Sequence, residues 1–225
     1  MIRVNVITEG QTEETFVRDI LAPEIGRKGI YLTARCVETS RTKSKIYRGG
    51  LIDFDKARKD ILLWLKQDTK AFVTTMFDLY ALPDSFPGKD SVKKMTDPYK
   101  IVSFLEKKFG ENIRNEIDCE ERFIPYIQLH EFEGLLFTDI EKIDEVMKID
   151  SNKKPQLLEI SEEFDNPELI NQGSETAPSK RLLKIYPSYD KISNGSIIAQ
   201  KIGLKQIRDK CSHFNEWLQK IEVLV

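Results

Sequence analysis

The chain has 225 residues, 40% hydrophobic and 32% charged, with 35 Lys and Arg against 37 Asp and Glu for a formal net charge of −2. That length suffices for one substantial core without disulfide staples, and the near-neutral charge excludes a protein coated with positive charge for non-specific nucleic-acid binding. No stretch approaches the ~20 apolar residues of a membrane span, and the start MIRVNVITEG lacks a secretory pattern, so the expected location is the cytoplasm.

The first half alternates strand-like and helix-like patterns, which predicts a mainly parallel α/β sheet flanked by crossover helices. IRVNVIT (2–8) reads as a first strand, and Phe16, Val17, Ile20, Leu21 and Ile25 follow at helical spacing. IYLTARCV (30–37) is a second strand, followed by a helix over 53–67. AFVTTMF (71–77) is a continuous apolar run, as expected of a strand covered on both faces and therefore central. A Pro- and Gly-bearing loop leads to a helix over 98–109. RFIPYIQL (122–129) then reads as the fourth strand, placed at an edge because Pro125 has no amide to donate.

Beyond it come HEFEGLLF, an acidic helix at 139–150, and helical segments near 155–164, 178–186, 194–202 and 204–222. The expected division is an α/β domain over 1–138 and a mainly helical C-terminal extension over 139–225 packed on it. Cys36, Cys119 and Cys211 are odd in number and far apart, which fits reduced structural thiols rather than a disulfide framework.

Parallel strands joined by right-handed crossovers end at one edge of the sheet, where open α/β folds bind ligands. Glu9 follows the first strand, Asp78 the third, and Glu131 with Glu133 the fourth. Carboxylates gathered there repel one another, and an oxygen-seeking divalent cation, Mg²⁺ or Mn²⁺, is the expected occupant. The bland readings are a solvated loop carboxylate for Glu9, a helix-dipole role for Glu13 and a turn opener for Asp78. Glu131 and Glu133 flank Phe132, so one of them faces inward if the segment is extended.

TSRTKSKIYRGG (39–50) brings Arg41, Lys43, Lys45 and Arg48 together without an acid, as a phosphate-binding stretch would. SETAPSKRLLKIYPSYDK adds Lys180, Arg181 and Lys191, and Lys180 or Arg181 is suited to stabilise charge on a scissile phosphate. The alternative for Lys180 and Arg181 is a solvated first turn of a helix opened by Ser179.

EGQTEE, FDLYALP and IPYIQLHEFEGLLF, with NPELINQGSETAPSKRL and IGLKQIRDKCSHFNEWL, resemble the bacterial and archaeal family numbered 4276 among domains of unknown function. That family is similar to the Toprim superfamily, which includes the nuclease domains of overcoming-lysogenization-defect proteins. The resemblance implies a Toprim-like fold and a Mg²⁺-dependent nuclease acting on DNA or RNA. It also implies an ATPase partner in anti-phage defence, and it leaves homo-oligomers open. It carries a Toprim glutamate onto Glu9, the first Asp of an Asp-x-Asp pair onto Asp78, and a second nuclease glutamate onto Glu13. Tyr80 stands where the second aspartate is expected, so either Glu131 or Glu133 fills that place or the site is weaker or holds a single metal. A degenerate site in an adaptor or regulatory subunit is the alternative.

Overall fold

A computed structural model describes the chain except residues 42–45, 49–52, 120, 148–152, 172 and 174, with backbone alone over 38–41 and 46–48. The main sheet contains β1 (Ile2–Thr8), β2 (Ile30–Cys36), β5 (Phe72–Asp78), β6 (Phe123–Ile124) and β7 (Ile127–Gln128). Its order is β2-β1-β5-β6, with β7 also pairing β5, and every pairing is parallel. A separate antiparallel pair, β3 (Glu38–Arg41) and β4 (Ile46–Arg48), occupies part of the stretch expected to be a basic loop.

Alternation along the central strands sends side chains to opposite faces and builds two cores. Val4, Val6 and Met76 face α1 (Gln11–Phe16), a π turn (Val17–Leu21), α2 (Ala22–Gly26) and much of the helical C-terminal third. Ile7, Val73 and Phe77 face α3 (Phe54–Gln67) and α4 (Pro98–Glu116). The helix expected over 98–109 thus runs on past Gly110, over which the Arg114 guanidinium folds.

The C-terminal third comprises α5 (Ile140–Met147), α6 (Lys154–Glu162), α7 (Pro178–Ile185), α8 (Ser193–Ile202), α9 (Leu204–Lys210) and α10 (Ser212–Glu222). The single helix expected over 204–222 breaks at Cys211, which is extended. Cys36, Cys119 and Cys211 are all buried, and none of them is in a disulfide. Trp217 stacks on Tyr126, with ring centroids 4.3 Å apart and planes within 8°, and donates its indole N–H to Thr74 Oγ1 at 2.8 Å.

Pro125 divides the expected fourth strand into β6 and β7 at the sheet edge. Threonine hydroxyls replace ladder bonds at the break. Thr74 Oγ1 donates to Ile124 O at 2.6 Å, while Thr75 Oγ1 accepts from Tyr126 N at 3.0 Å and donates to Tyr126 O at 2.8 Å. Among the described residues no helix is long and apolar enough to cross a membrane.

Candidate metal centre

Strand register brings the acids together. Asp78 pairs with Gln128 at the end of β5 and β7, and Glu9 N extends the β1 ladder by donating to Met76 O at 3.2 Å. The Glu9 carboxylate accepts from Asp78 N at 3.3 Å, so the first and third strand ends are tied side chain to backbone. After β7 the chain turns at His130, a residue with φ of 60°, in the left-handed region. His130 is held by Asn171, whose Nδ2 lies 3.0 Å from its Nδ1, and burial lowers its pKa to about 4, keeping the ring neutral. That turn leads into Glu131 and a 3₁₀ segment, Phe132–Thr138, in which Glu133 is buried. Glu131 is extended and the 3₁₀ turn begins at Phe132, and both Glu131 and Glu133 act through their charge on Asp78.

Glu13 arrives from α1. Its Oε2 accepts from Gly10 N at 2.9 Å, half of a capping box, and a β-carbon at Gly10 would stand 3.0 Å from that same oxygen. A side chain at position 10 would therefore crowd the Glu13 carboxylate, which would have to shift by a few tenths of an ångström. Glu131 is fixed differently, by accepting from Ser179 N at 3.0 Å at the start of α7. The positive end of that helix favours the carboxylate.

The acids act on one another. Asp78 is held well above the usual carboxylate range, first by burial and then by the charges of Glu13, Glu9, Glu133 and Glu131. Burial pushes Glu13 up to about 7, with Glu9 adding to the rise, and pushes Glu133 up to about 7 against the opposing charge of Lys191. Lys191 Nζ lies 3.3 Å from Glu133 Oε1. Asp78 Oδ1 is buried and has no hydrogen-bond partner.

The donor set fits an oxygen-liganded divalent cation: carboxylates at three neighbouring strand ends, with Asp78, Glu13 and Glu133 raised chiefly by burial, and buried carboxylate oxygens of Asp78 and Glu133 without a hydrogen-bond partner. The fit is of chemistry more than of finished geometry. Among the described residues no three Asp, Glu, His or Cys side chains are already drawn into a ligating group. Tyr80 follows in a 3₁₀ turn (Leu79–Ala81), where its N–H donates to His130 O and its side chain is half exposed.

Not every expected basic residue is free to meet phosphate. Lys180 is exposed on the first turn of α7, beside the amide that holds Glu131. Arg181 is engaged within the fold, donating to Thr176 O at 2.8 Å, pairing with Glu163 at 3.2 Å and lying over the Phe164 ring. Lys43 and Lys45 lie outside the described residues, as do the side chains of Arg41 and Arg48.

The model of the family described as a domain of unknown function, DUF4276, matches residues 8–222. The chain belongs to the DUF4276 family. This DUF4276 protein is also similar in structure to the C-terminal region of the Burkholderia pseudomallei OLD protein, with a TM-score of 0.52, 12% identity and 100% of each chain covered. At that identity the likeness is one of fold, and the mainly parallel sheet flanked by helices is the α/β arrangement anticipated above. No curated protein matches the DUF4276 chain significantly in sequence.

Two features of the DUF4276 site escaped sequence reasoning. Lys191 faces the acids at close range, whereas its sequence context suggests only nucleic-acid contact. Tyr189, two residues earlier, is buried with its hydroxyl unpartnered and is influenced by Glu133 and Glu131. The alternation of polar and aromatic residues in YPSYDK carries no signal for either placement.

Proposed function

We propose that this chain is a divalent-metal-dependent enzyme that cleaves nucleic-acid phosphodiester bonds, a Toprim-type nuclease. The observation that carries the reading is the convergence of Glu9, Asp78 and Glu131 from adjacent strand ends, with the Asp78 carboxylate buried and one of its oxygens unpartnered. In this reading Glu9, Asp78 and Glu131 hold Mg²⁺ or Mn²⁺, and Glu13 and Glu133 assist. A cation bound there would activate water and neutralise charge on the phosphate.

The chain's own groups supply the rest. Glu13 and Glu133, each with a pKa of about 7, are suited to accept or return a proton near neutral pH. Lys180 offers an exposed ammonium beside Glu131, and Arg41, Lys43, Lys45, Arg48 and Lys191 are the phosphate contacts of this reading, whereas Arg181 is held by Thr176 and Glu163. The substrate is DNA or RNA, and an ATPase partner in anti-phage defence belongs to the same proposal. The test is Mg²⁺- or Mn²⁺-dependent cleavage of DNA and RNA by the purified protein beside Glu9→Gln and Asp78→Asn. Cleavage that survives both substitutions refutes the assignment.

A second reading, a non-catalytic adaptor with a degenerate site, is favoured by Tyr80 at the place of the second aspartate and by the ion pair that already occupies Glu133. Calorimetric titration separates the two. Absence of Mg²⁺ and Mn²⁺ binding supports the adaptor, and binding abolished by Asp78→Asn supports the enzyme.

A further inference from the structure

Lys191 lies in the connection between α7 and α8, outside regular secondary structure. The connection is pinned on both sides of it. Tyr189 is buried before it, and Asp190 accepts from Ser193 N at 2.8 Å and Ser193 Oγ at 2.7 Å. The lysine side chain itself is 44% exposed, while its partner Glu133 is 2% exposed and set in the core. Glu133 Oε1 has no aligned hydrogen bond despite the 3.3 Å separation from Lys191 Nζ, so the contact is an ion pair of charge rather than of fitted geometry.

The same ammonium is attracted by Glu131 and Asp78 as well as by Glu133. One positive charge therefore faces several carboxylates, from a flexible four-carbon stem anchored at its base. A single ammonium is a poor match for that charge, whereas a divalent cation with several open oxygen positions is a good one.

We propose that Lys191 is the resident counter-ion of the acid cluster, which yields Glu133 to an incoming divalent cation and swings outward to meet the phosphate backbone of the nucleic acid. The inference rests on the metal-dependent reading above and adds a coupling between metal entry and substrate contact. Lys191 holds the acids together while no cation is bound, and the same charge becomes a substrate contact only after its place is taken. Metal and nucleic acid then favour each other's binding by the same factor.

The experiment uses the full chain, first without substitution. Lysine acylation is mapped by mass spectrometry in chelator and in Mn²⁺, with exposed Lys180 as internal reference, while calorimetry records Mn²⁺ binding. Labelling of Lys191 relative to Lys180 should rise several-fold with Mn²⁺. In parallel, Lys191→Met should bind Mn²⁺ on the order of tenfold more tightly, because a competing charge is gone, and Lys191→Arg should stay near the unsubstituted value. Mn²⁺ binding with unchanged Lys191 labelling, or weaker binding in Lys191→Met, overturns the inference alone. No Mn²⁺ binding by the unsubstituted chain overturns the functional reading and the inference together.

Discussion

Replacing Glu133 with glutamine should make the metal-free protein more stable at alkaline pH, the reverse of the usual outcome for a buried substitution. Burial raises the Glu133 carboxyl from 4.5 to about 7, against a partial opposing effect of Lys191. Below pH 4.5 this group is protonated in both folded and unfolded chains and contributes nothing to pH dependence. Between pH 4.5 and 7 the unfolded chain ionises while the folded chain keeps its proton, so stability falls as pH rises. Above pH 7 both are ionised and the full cost stands, about 3 kcal/mol at 1.36 kcal/mol per pH unit. Glutamine keeps the shape and removes the charge, and Lys191, being 44% exposed, is free to hydrate. Thermal unfolding in chelator should place Glu133→Gln above the unsubstituted protein at pH 8, by about 6–12 °C for a chain of this size, with the difference vanishing near pH 4.5. A variant no more stable at pH 8, or a difference that does not change with pH, would refute the electrostatic account of the cluster.

Three further outcomes follow from the same structure. Asp78→Asn should raise metal-free stability in denaturant titration while abolishing Mn²⁺ binding by calorimetry, since it neutralises the carboxylate on which the other four acids press. Thr75→Val leaves the Tyr126 N–H and carbonyl unpaired at the strand break and should cost about 2–4 kcal/mol by denaturant titration; a loss under about 1 kcal/mol would mean the hydroxyl is dispensable there. Glu168 accepts from His213 N at 3.0 Å and Phe214 N at 2.9 Å in the first turn of α10, so Glu168→Ala should cost about 1–3 kcal/mol and Glu168→Gln less, with hydrogen exchange faster at those two amides in the alanine variant.

Much of this molecule was legible in the chain because its signals are local. AFVTTMF could be placed at the centre because a strand covered on both faces has no polar alternation, and β5 does lie between β1 and the edge strands. Pro125 marked the edge for a covalent reason, the absence of an N–H, though not the hydroxyl bonds that bridge the break. The acids at strand ends were found because parallel strands share one edge, and Asp78 does lie beside Glu9 and the β7 end. Less visible were features set by tertiary contact. The break at Cys211 falls inside an unbroken apolar stripe, where the helical period alone gives no stop. Glu106, on the apolar face of α4 four residues from Val102, lies 3.0 Å from His213 Nε2 and accepts from Ile127 N at 2.9 Å, partners that only the tertiary fold supplies. The same holds for Glu168 and the amides of His213 and Phe214. The ion pair of Lys191 with Glu133 is hidden for a simpler reason: a lysine beside prolines and tyrosines looks the same whether it faces water or a carboxylate.

The proline in the edge strand has a consequence for encounters between molecules. An unbroken β-edge offers a neighbour a continuous row of amides and carbonyls, the template from which strand-swapped dimers and fibrils grow. Here the edge consists of Phe123 and Ile124, then Pro125, which cannot donate, and Tyr126, whose amide and carbonyl are bonded to the Thr75 hydroxyl, then Ile127 and Gln128. A visiting strand would find too short a run to register on, and the opposite edge at β2 becomes the side of the sheet where aggregation has to be resisted by other means.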